Sequence, residues 1–311
     1  MPLPILFAMA LMAVWPRTGL ARPAFYPDFR ALSAPLFAEQ PDIPACRSGR
    51  LRDAAESEAW QALNEIRGLH GLAPVALDRQ NAAAAQAALM LAANGRLEHV
   101  PPASWRCHTA AGAQALAASL LSGGVTARNI AFHTPAQDII AWLVDNKAAA
   151  ADSIGHRRWL LDPFLGKVAY ARVSGSTGGQ KVTVASVLHV TGIARPAAGP
   201  ALIAYPYQEY PARFFHDDTP LSLSLLVDRQ RRQGNAAVDF STARIRVTDE
   251  RGEPLRIGGV ASDRYAFGLP NNLQFRPAGI RHGVRYEVSV DGVRVGGLEK
   301  SYRYWFRIIP D

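Results

Sequence analysis

The side chains best suited to chemistry in this chain are histidines. The stretch ADSIGHRRWLLDP, Ala151 to Pro163, sets one of them, His156, beside two arginines and a tryptophan. An imidazole there can move a proton, ligate a metal ion or fill a polar gap in the fold. A second, His99, follows Glu98, but Glu98-His99 is not HExxH, so the one-face helical zinc geometry of metalloproteases is not encoded. Ser153 lies three residues before His156, yet no G-x-S-x-G elbow presents a serine nucleophile. No P-loop is present, and no G-x-G-x-x-G follows a strand. His108, His133 and His189 are expected to serve the structure. Arg157 and Arg158 read either as helix-surface charges or as donors to C-terminal helix carbonyls, and Trp159 reads as a core anchor.

The elements that must hold these groups are helical in the first half. From Asp53 to Gly71, Trp60, Leu63, Ile66 and Leu69 recur at helical spacing. A second helix is expected from an N-cap at Asp78 through the alanine-rich AAAAQAALMLAANGRL. A third is expected over Thr109 to Leu121, stopped by Gly123-Gly124. The fourth carries the sharpest signal: Thr134 as N-cap, Pro135 in the first turn and Gln137 closing a capping box ahead of DIIAWLVDN. Beyond Pro163 the period changes. KVAYARV and KVTVASVLHV read as strands flanking the turn SGSTGGQ. Residues 194–203 read as a linker, and residues 204–311 as short alternating strands forming a small antiparallel β-sandwich, immunoglobulin-like in general shape. Within it VRYEVSVDGVRV reads as a hairpin turning at Asp291-Gly292. The aromatic AYPYQEYPARFF, Ala204 to Phe215, is expected to pack between domains, and DRQRRQGN, the densest arginine group, reads as a solvated loop.

At 311 residues, with 49% hydrophobic and 19% charged positions, the chain can build packed cores, and its length favours two domains. The formal charge of +8 favours anionic partners such as envelope polymers or lipid head groups. The arginines are scattered rather than clustered, and no nucleic-acid partner is expected. Residues 1–21 hold an apolar run from Ile5 to Trp15, too short to span a bilayer, ahead of the small-x-small step Gly19-Leu20-Ala21. They read as a signal peptide, which implies a secreted or periplasmic protein; no later run is long enough for a transmembrane helix. A Pro-rich lead-in follows over residues 22–52. Cys46 and Cys107 are the only cysteines, and an even count in an exported chain reads as one disulfide, with two free buried thiols as the other option. Such a crosslink contributes roughly 4 kcal/mol in the chain-entropy model.

Four blocks, ALNEIRGLHGLAPVALD, LMLAANGRLEH, AWLVD and GHRRWLLDP, occur in an order and at a spacing that resembles the CAP superfamily. This is the cysteine-rich secretory, venom-antigen and plant pathogenesis-related group, and the similarity is to its bacterial SCP-like branch. It runs from Trp60 to Val190 within an expected domain at residues 53–193, and implies an α-β-α sandwich with a cleft into which two histidines point. By position His99 matches the family's first histidine and His156 the second. Asp145, three residues after Trp142, falls where members have the glutamate of Trp-x-x-Glu. The remaining family acid belongs to a Glu-Asn-Ile/Leu triplet, matched here by Arg128, Asn129 and Ile130, so arginine replaces the glutamate.

The resemblance therefore implies an α+β fold and a ligand cleft of His99, Arg128, Asn129, Asp145 and His156. Some members hold zinc or another divalent cation. His99, His156 and Asp145 with a water would make an open Zn2+ site, whereas a guanidinium at Arg128 would oppose the cation by about 4 kcal/mol at contact distance. Three functions remain open. The first is non-enzymatic binding of a lipid-like, glycan or cell-envelope ligand. The second is a hydrolase in which His99 and His156 bind a metal or act as general acid and base with Asp145 orienting. The third is a structural or adhesion module.

Overall fold

The structure is a computed structural model describing residues 29–126, 132–145, 153–177 and 182–311. The expected signal peptide and the cleft candidates Arg128 and Asn129 lie outside the described residues. A short helix α1 (Phe29–Ser33) and the strand pair β1 (Phe37–Glu39) and β2 (Arg50–Leu51) lead into α2 (Asp53–Leu69). Then come β3 (Ala76–Leu77), α3 (Ala82–Asn94), α4 (Ala110–Ala117), β4 (Ser119–Thr126), α5 (Pro135–Val144) and α6 (Gly155–Leu160). The hairpin β5 (Leu165–Ser176) and β6 (Val182–Ile193) closes the first half. Cys46 and Cys107, 61 residues apart, are joined in a disulfide that ties the lead-in to the segment before α4.

The first-half sheet runs β3-β5-β6-β4, with only β3 and β5 parallel. Because strand side chains alternate between faces, Leu120, Val168, Tyr170 and Leu188 pack with Leu63 and Ile66 of α2 and with Ile139 and Trp142 of α5. Leu121, Ala169, Ala171, Val173 and Val187 pack on the opposite face with Ala87, Ala88 and Leu91 of α3 and Leu116 of α4. Helices thus cover both faces, and the small residues of α3 permit close approach.

Three sequence expectations shift. The second helix is capped by Asn81, whose side chain accepts from Ala84 N at 3.0 Å. Asp78 instead continues the β3 pairing, its N donating to Val168 O at 2.7 Å, and its carboxylate faces Lys167 at 3.4 Å. The third helix ends at Ala117, because Ser119–Thr126 pairs residue for residue with β6. Gly123 and Gly124 lie inside that strand rather than stopping a helix.

The second half holds β7 (Leu202–Tyr205), β8 (Gln208–Pro211), β9 (Leu221–Leu225), β10 (Val238–Asp239) and β11 (Arg244–Asp249). After these come β12 (Ile257–Asp263), β13 (Asn272–Pro277), β14 (Arg285–Val295) and β15 (Leu298–Ile309). One sheet runs β12-β13-β9-β7 and is antiparallel throughout; the other runs β10-β14-β15-β8, with β11 also on β14, and β8 joins β15 in parallel, so it is not the wholly antiparallel sheet expected. Asp291-Gly292 is not a turn. Gly292, at φ +77, sits in a bulge inside β14, and the strands reverse at Gly296-Gly297. Residues 194–201 contain no regular element but are pinned to the second half: Ala197 N donates to Arg229 O at 2.8 Å, and Arg229 Nη2 donates to Gly199 O at 2.9 Å. One apolar cluster runs from Leu63 and Ile66 through Phe164, Tyr205 and Phe214 to Leu223, Phe275 and Phe306, so both halves share a continuous core. Among the described residues no helix is long and apolar enough to cross a membrane.

Candidate functional site

The fourth helix forms as its residues dictate. Thr134 and Gln137 make the reciprocal capping box, and Pro135 opens the first turn. The helix stops at Asp145, which adopts the left-handed conformation at φ 46. There the Asp145 carboxylate accepts from the His156 backbone N at 3.1 Å and pairs with His156 Nδ1 at 3.0 Å. Ile154 ahead of α6 also has a positive φ, 42°, a strained setting for a β-branched residue, and its complete burial holds it there. Both ends of the α5–α6 connection are therefore fixed around one Asp–His pair.

His99 is positioned from the other side. Its Nδ1 meets Leu116 O at 2.8 Å, one of the carbonyls that the end of α4 leaves without an intrahelical partner. A carbonyl and a carboxylate only accept, so Nδ1 carries the proton in both His99 and His156. In its neutral form each ring then keeps its lone pair on Nε2. Such outer partners are those that orient ligating or proton-transferring imidazoles.

His99, Asp145 and His156 line the same cavity of about 500 Å³. Ser119 and Ser153 add polar groups, while Leu120, Trp159, Val190 and Phe267 supply apolar surface. The two histidines that the resemblance singles out thus share a hollow. Ser153 also lines it but makes no hydrogen bond to His156, so among the described residues no Ser-His-Asp relay is assembled. A metal ion could draw on Nε2 of His99 and of His156. Both oxygens of Asp145 are already engaged by His156, and among the described residues no three His, Cys, Asp or Glu side chains are grouped to hold a cation. Among the described residues, two imidazoles fall one protein ligand short of an open zinc centre.

Part of the wall comes from beyond the CAP-like segment. Ala266 and Phe267, in the loop after β12, face the cavity. Arg158 reaches out of α6 to that loop, donating to Asp263 Oδ1 at 2.6 Å, Tyr265 O at 2.6 Å and Leu269 O at 2.9 Å. Arg232 grips it from the other side, donating to Gly268 O at 2.8 Å and Ala266 O at 2.9 Å. Its guanidinium also lies 4.2 Å from the Trp159 ring centre. Gly268 has φ +66 and lies so near the Arg158 carbonyl that a Cβ would collide with it. Burial lowers the Arg232 pKa and raises that of Asp162, and the 3.2 Å ion pair between them opposes both shifts.

Arg157 and Arg158 are therefore buried, and the surface-charge reading fails. The carbonyl-donor reading holds for Arg157, which caps Leu143 O and Val144 O, each at 2.7 Å. It then crosses to Pro220 O at 2.7 Å and lies 3.9 Å from the centre of the Tyr205 ring. Trp159 is a half-buried wall of the cavity rather than a pure core anchor, and Arg232 is a clamp rather than part of a solvated loop. AYPYQEYPARFF does pack across the seam: Tyr205 stacks on His70, and Tyr210 Oη meets His70 Nε2 at 3.1 Å. Sequence reasoning missed Phe267, whose loop carries no local pattern that points to a cleft more than 100 residues upstream.

Residues 60–190 match the model of the CAP family, described as the cysteine-rich secretory protein family. The match spans the unit from α2 into β6 that contributes His99, Asp145 and His156, and supports the resemblance over those residues. A search of curated proteins found no match.

Proposed function

We propose that this is an exported bacterial CAP-domain protein whose cleft binds an amphiphilic, lipid-like or envelope-derived ligand without turning it over. The observation that carries this reading is a single cavity of about 500 Å³ that combines two oriented imidazoles with Leu120, Trp159, Val190 and Phe267. Pockets of that size with a few convergent polar groups suit small amphiphiles. In their neutral form the two Nε2 atoms accept from a ligand hydroxyl; protonated, they donate to a carboxylate or phosphate. Residues 204–311 are read as an immunoglobulin-like β-sandwich that completes and orients the cleft. The inward alternation of Val288, Val290, Tyr304 and Phe306 against Leu223 and Phe275 supports that reading.

Titration of the full chain with a dansylated fatty acid and a lysophospholipid tests it. Saturable binding that weakens at least about tenfold in Trp159→Ala is expected, a loss of about 1.4 kcal/mol. If neither amphiphile binds, the reading is overturned. A second reading, acid–base hydrolysis, is favoured by the Asp145–His156 pair. Turnover of an ester panel that His156→Ala and Asp145→Ala both abolish would replace binding with catalysis.

A further inference from the structure

We infer that the outward face of the second-half sheet holds a separate site for sulfate or phosphate esters of an anionic polysaccharide. The cross-strand register sets Arg246 opposite Ser289, and Ser289 opposite Arg303, so the three stand abreast on β11, β14 and β15. Their neighbours Val247, Val288, Val290 and Tyr304 are buried, so alternation turns this row to solvent. With strands about 4.8 Å apart, the two arginine Cα atoms stand about 10 Å from each other, within reach of one tetrahedral anion for two long guanidinium side chains.

Charge pairing on this face is selective. Arg285 is held by Glu287 at 2.7 Å, Arg307 by Glu209 at 3.5 Å and Arg244 by Glu299 at 3.6 Å. Arg246 and Arg303 have no ion pair or hydrogen bond among the described residues, and both line a hollow of about 480 Å³ with Thr248, Ser289 and Glu287. Arg285 holds Glu287 through Oε1 alone, so the hollow presents two guanidiniums, flanked by hydroxyls, beside one carboxylate already shared with Arg285. Forked donors of this kind recognise sulfate and phosphate oxygens. Thr248 and Ser289 add donors and acceptors for sugar hydroxyls. A membrane surface fits less well: of the exposed large apolar side chains only Leu298 belongs to this sheet, and it lies at the β14–β15 turn. This site shares no residue with the cleft and does not depend on the reading given to it.

The test is fluorescence anisotropy of the full chain with labelled heparin and phosphomannan oligosaccharides at low salt. Saturable binding of at least one is expected, weakened about tenfold or more in Arg246→Gln/Arg303→Gln and only partly restored in Arg246→Lys/Arg303→Lys, which keeps charge but not the fork. Arg106→Gln/Arg256→Gln removes two exposed charges away from this sheet and should change affinity about twofold or less. All four positions are exposed, so unchanged thermal unfolding confirms that each variant folds. Absence of binding overturns the inference, as does equal loss in the two Gln doubles. Stronger Arg246/Arg303-dependent binding to anionic phospholipid vesicles than to either oligosaccharide overturns the polysaccharide assignment. His156→Ala should leave the oligosaccharide signal unchanged, which separates this site from the cleft.

Discussion

On the side of the cleft supplied by residues 99–156, each polar group is held by a partner on an adjoining helix end: His156 by Asp145 at 3.0 Å, His99 by Leu116 O at 2.8 Å. The side supplied by Ala266 and Phe267 has one local brace, Tyr265 N donating to Asp263 Oδ1 at 2.9 Å, and depends on distant partners for the rest. Its loop is held by two arginines, one from each half of the molecule, and behind them lies Arg157, which ties the C-terminal end of α5 to Pro220. The polar wall and Trp159 are thus intrinsic to the first half, whereas the Phe267 face depends on the seam. Substitutions at the seam should cost much stability, and substitutions at the cleft surface little.

The sharpest way to break that contrast is Arg157→Ala. Arg157 is 1% exposed, and its guanidinium donates to three carbonyls and Ser222. Removing it strands those acceptors and opens a cavity, an expected loss of about 4 kcal/mol in urea unfolding. Arg157→Lys should recover little, because an ammonium cannot serve both directions of the fork. A deficit under about 1 kcal/mol would mean that the seam is held elsewhere. Arg158→Gln comes next, at about 3 kcal/mol, since it leaves Asp263 unpaired at a largely buried position. It should also lower amphiphile affinity by freeing the Phe267 loop, while the Asp145–His156 pair remains.

The seam also sets a pH dependence. Burial depresses the His70 pKa to about 3; the Ala204 backbone opposes this, and the Arg157 and Arg67 guanidiniums add to it. The unfolded chain binds that proton near pH 6.5 and the folded chain does not, so stability is full above about 6.5 and falls as pH drops toward 3. The slope from this one group is about 1.4 kcal/mol per pH unit within that window. His70→Phe should flatten the curve there by that amount, and an unchanged slope would detach His70 from the acid sensitivity.

What could be read from the sequence was local. The Thr134–Gln137 capping box, the β5–β6 hairpin, the cysteine pair and the two histidines with Asp145 each announce themselves within a few residues or through a family block. What could not be read depends on partners distant in the chain. SLLSGGVT looks like a helix end because glycines usually stop helices; β6, some sixty residues later, makes it a strand. Arg157 and Arg158 resemble surface charges because nothing near them in the chain reveals the carbonyls of Pro220, Tyr265 and Leu269. Asp291-Gly292 resembles a hairpin turn because a bulge and a turn both want glycine at positive φ, and only pairing across β11 and β15 tells them apart.

Phe267 gives the finest division between the two walls. Phe267 is 41% exposed, so truncation to alanine removes little buried area and should change stability by about 0.5 kcal/mol or less. The same truncation strips one apolar surface from the cavity, and the amphiphile should bind about five- to tenfold more weakly, the effect of burying a partial aromatic face. Arg158→Gln should reproduce the affinity loss but add a large stability loss, because it displaces the loop rather than shortening one side chain. If Phe267→Ala leaves binding intact while Arg158→Gln weakens it, the loop acts through the position of α6 and His156, and the aromatic surface is not what the ligand meets.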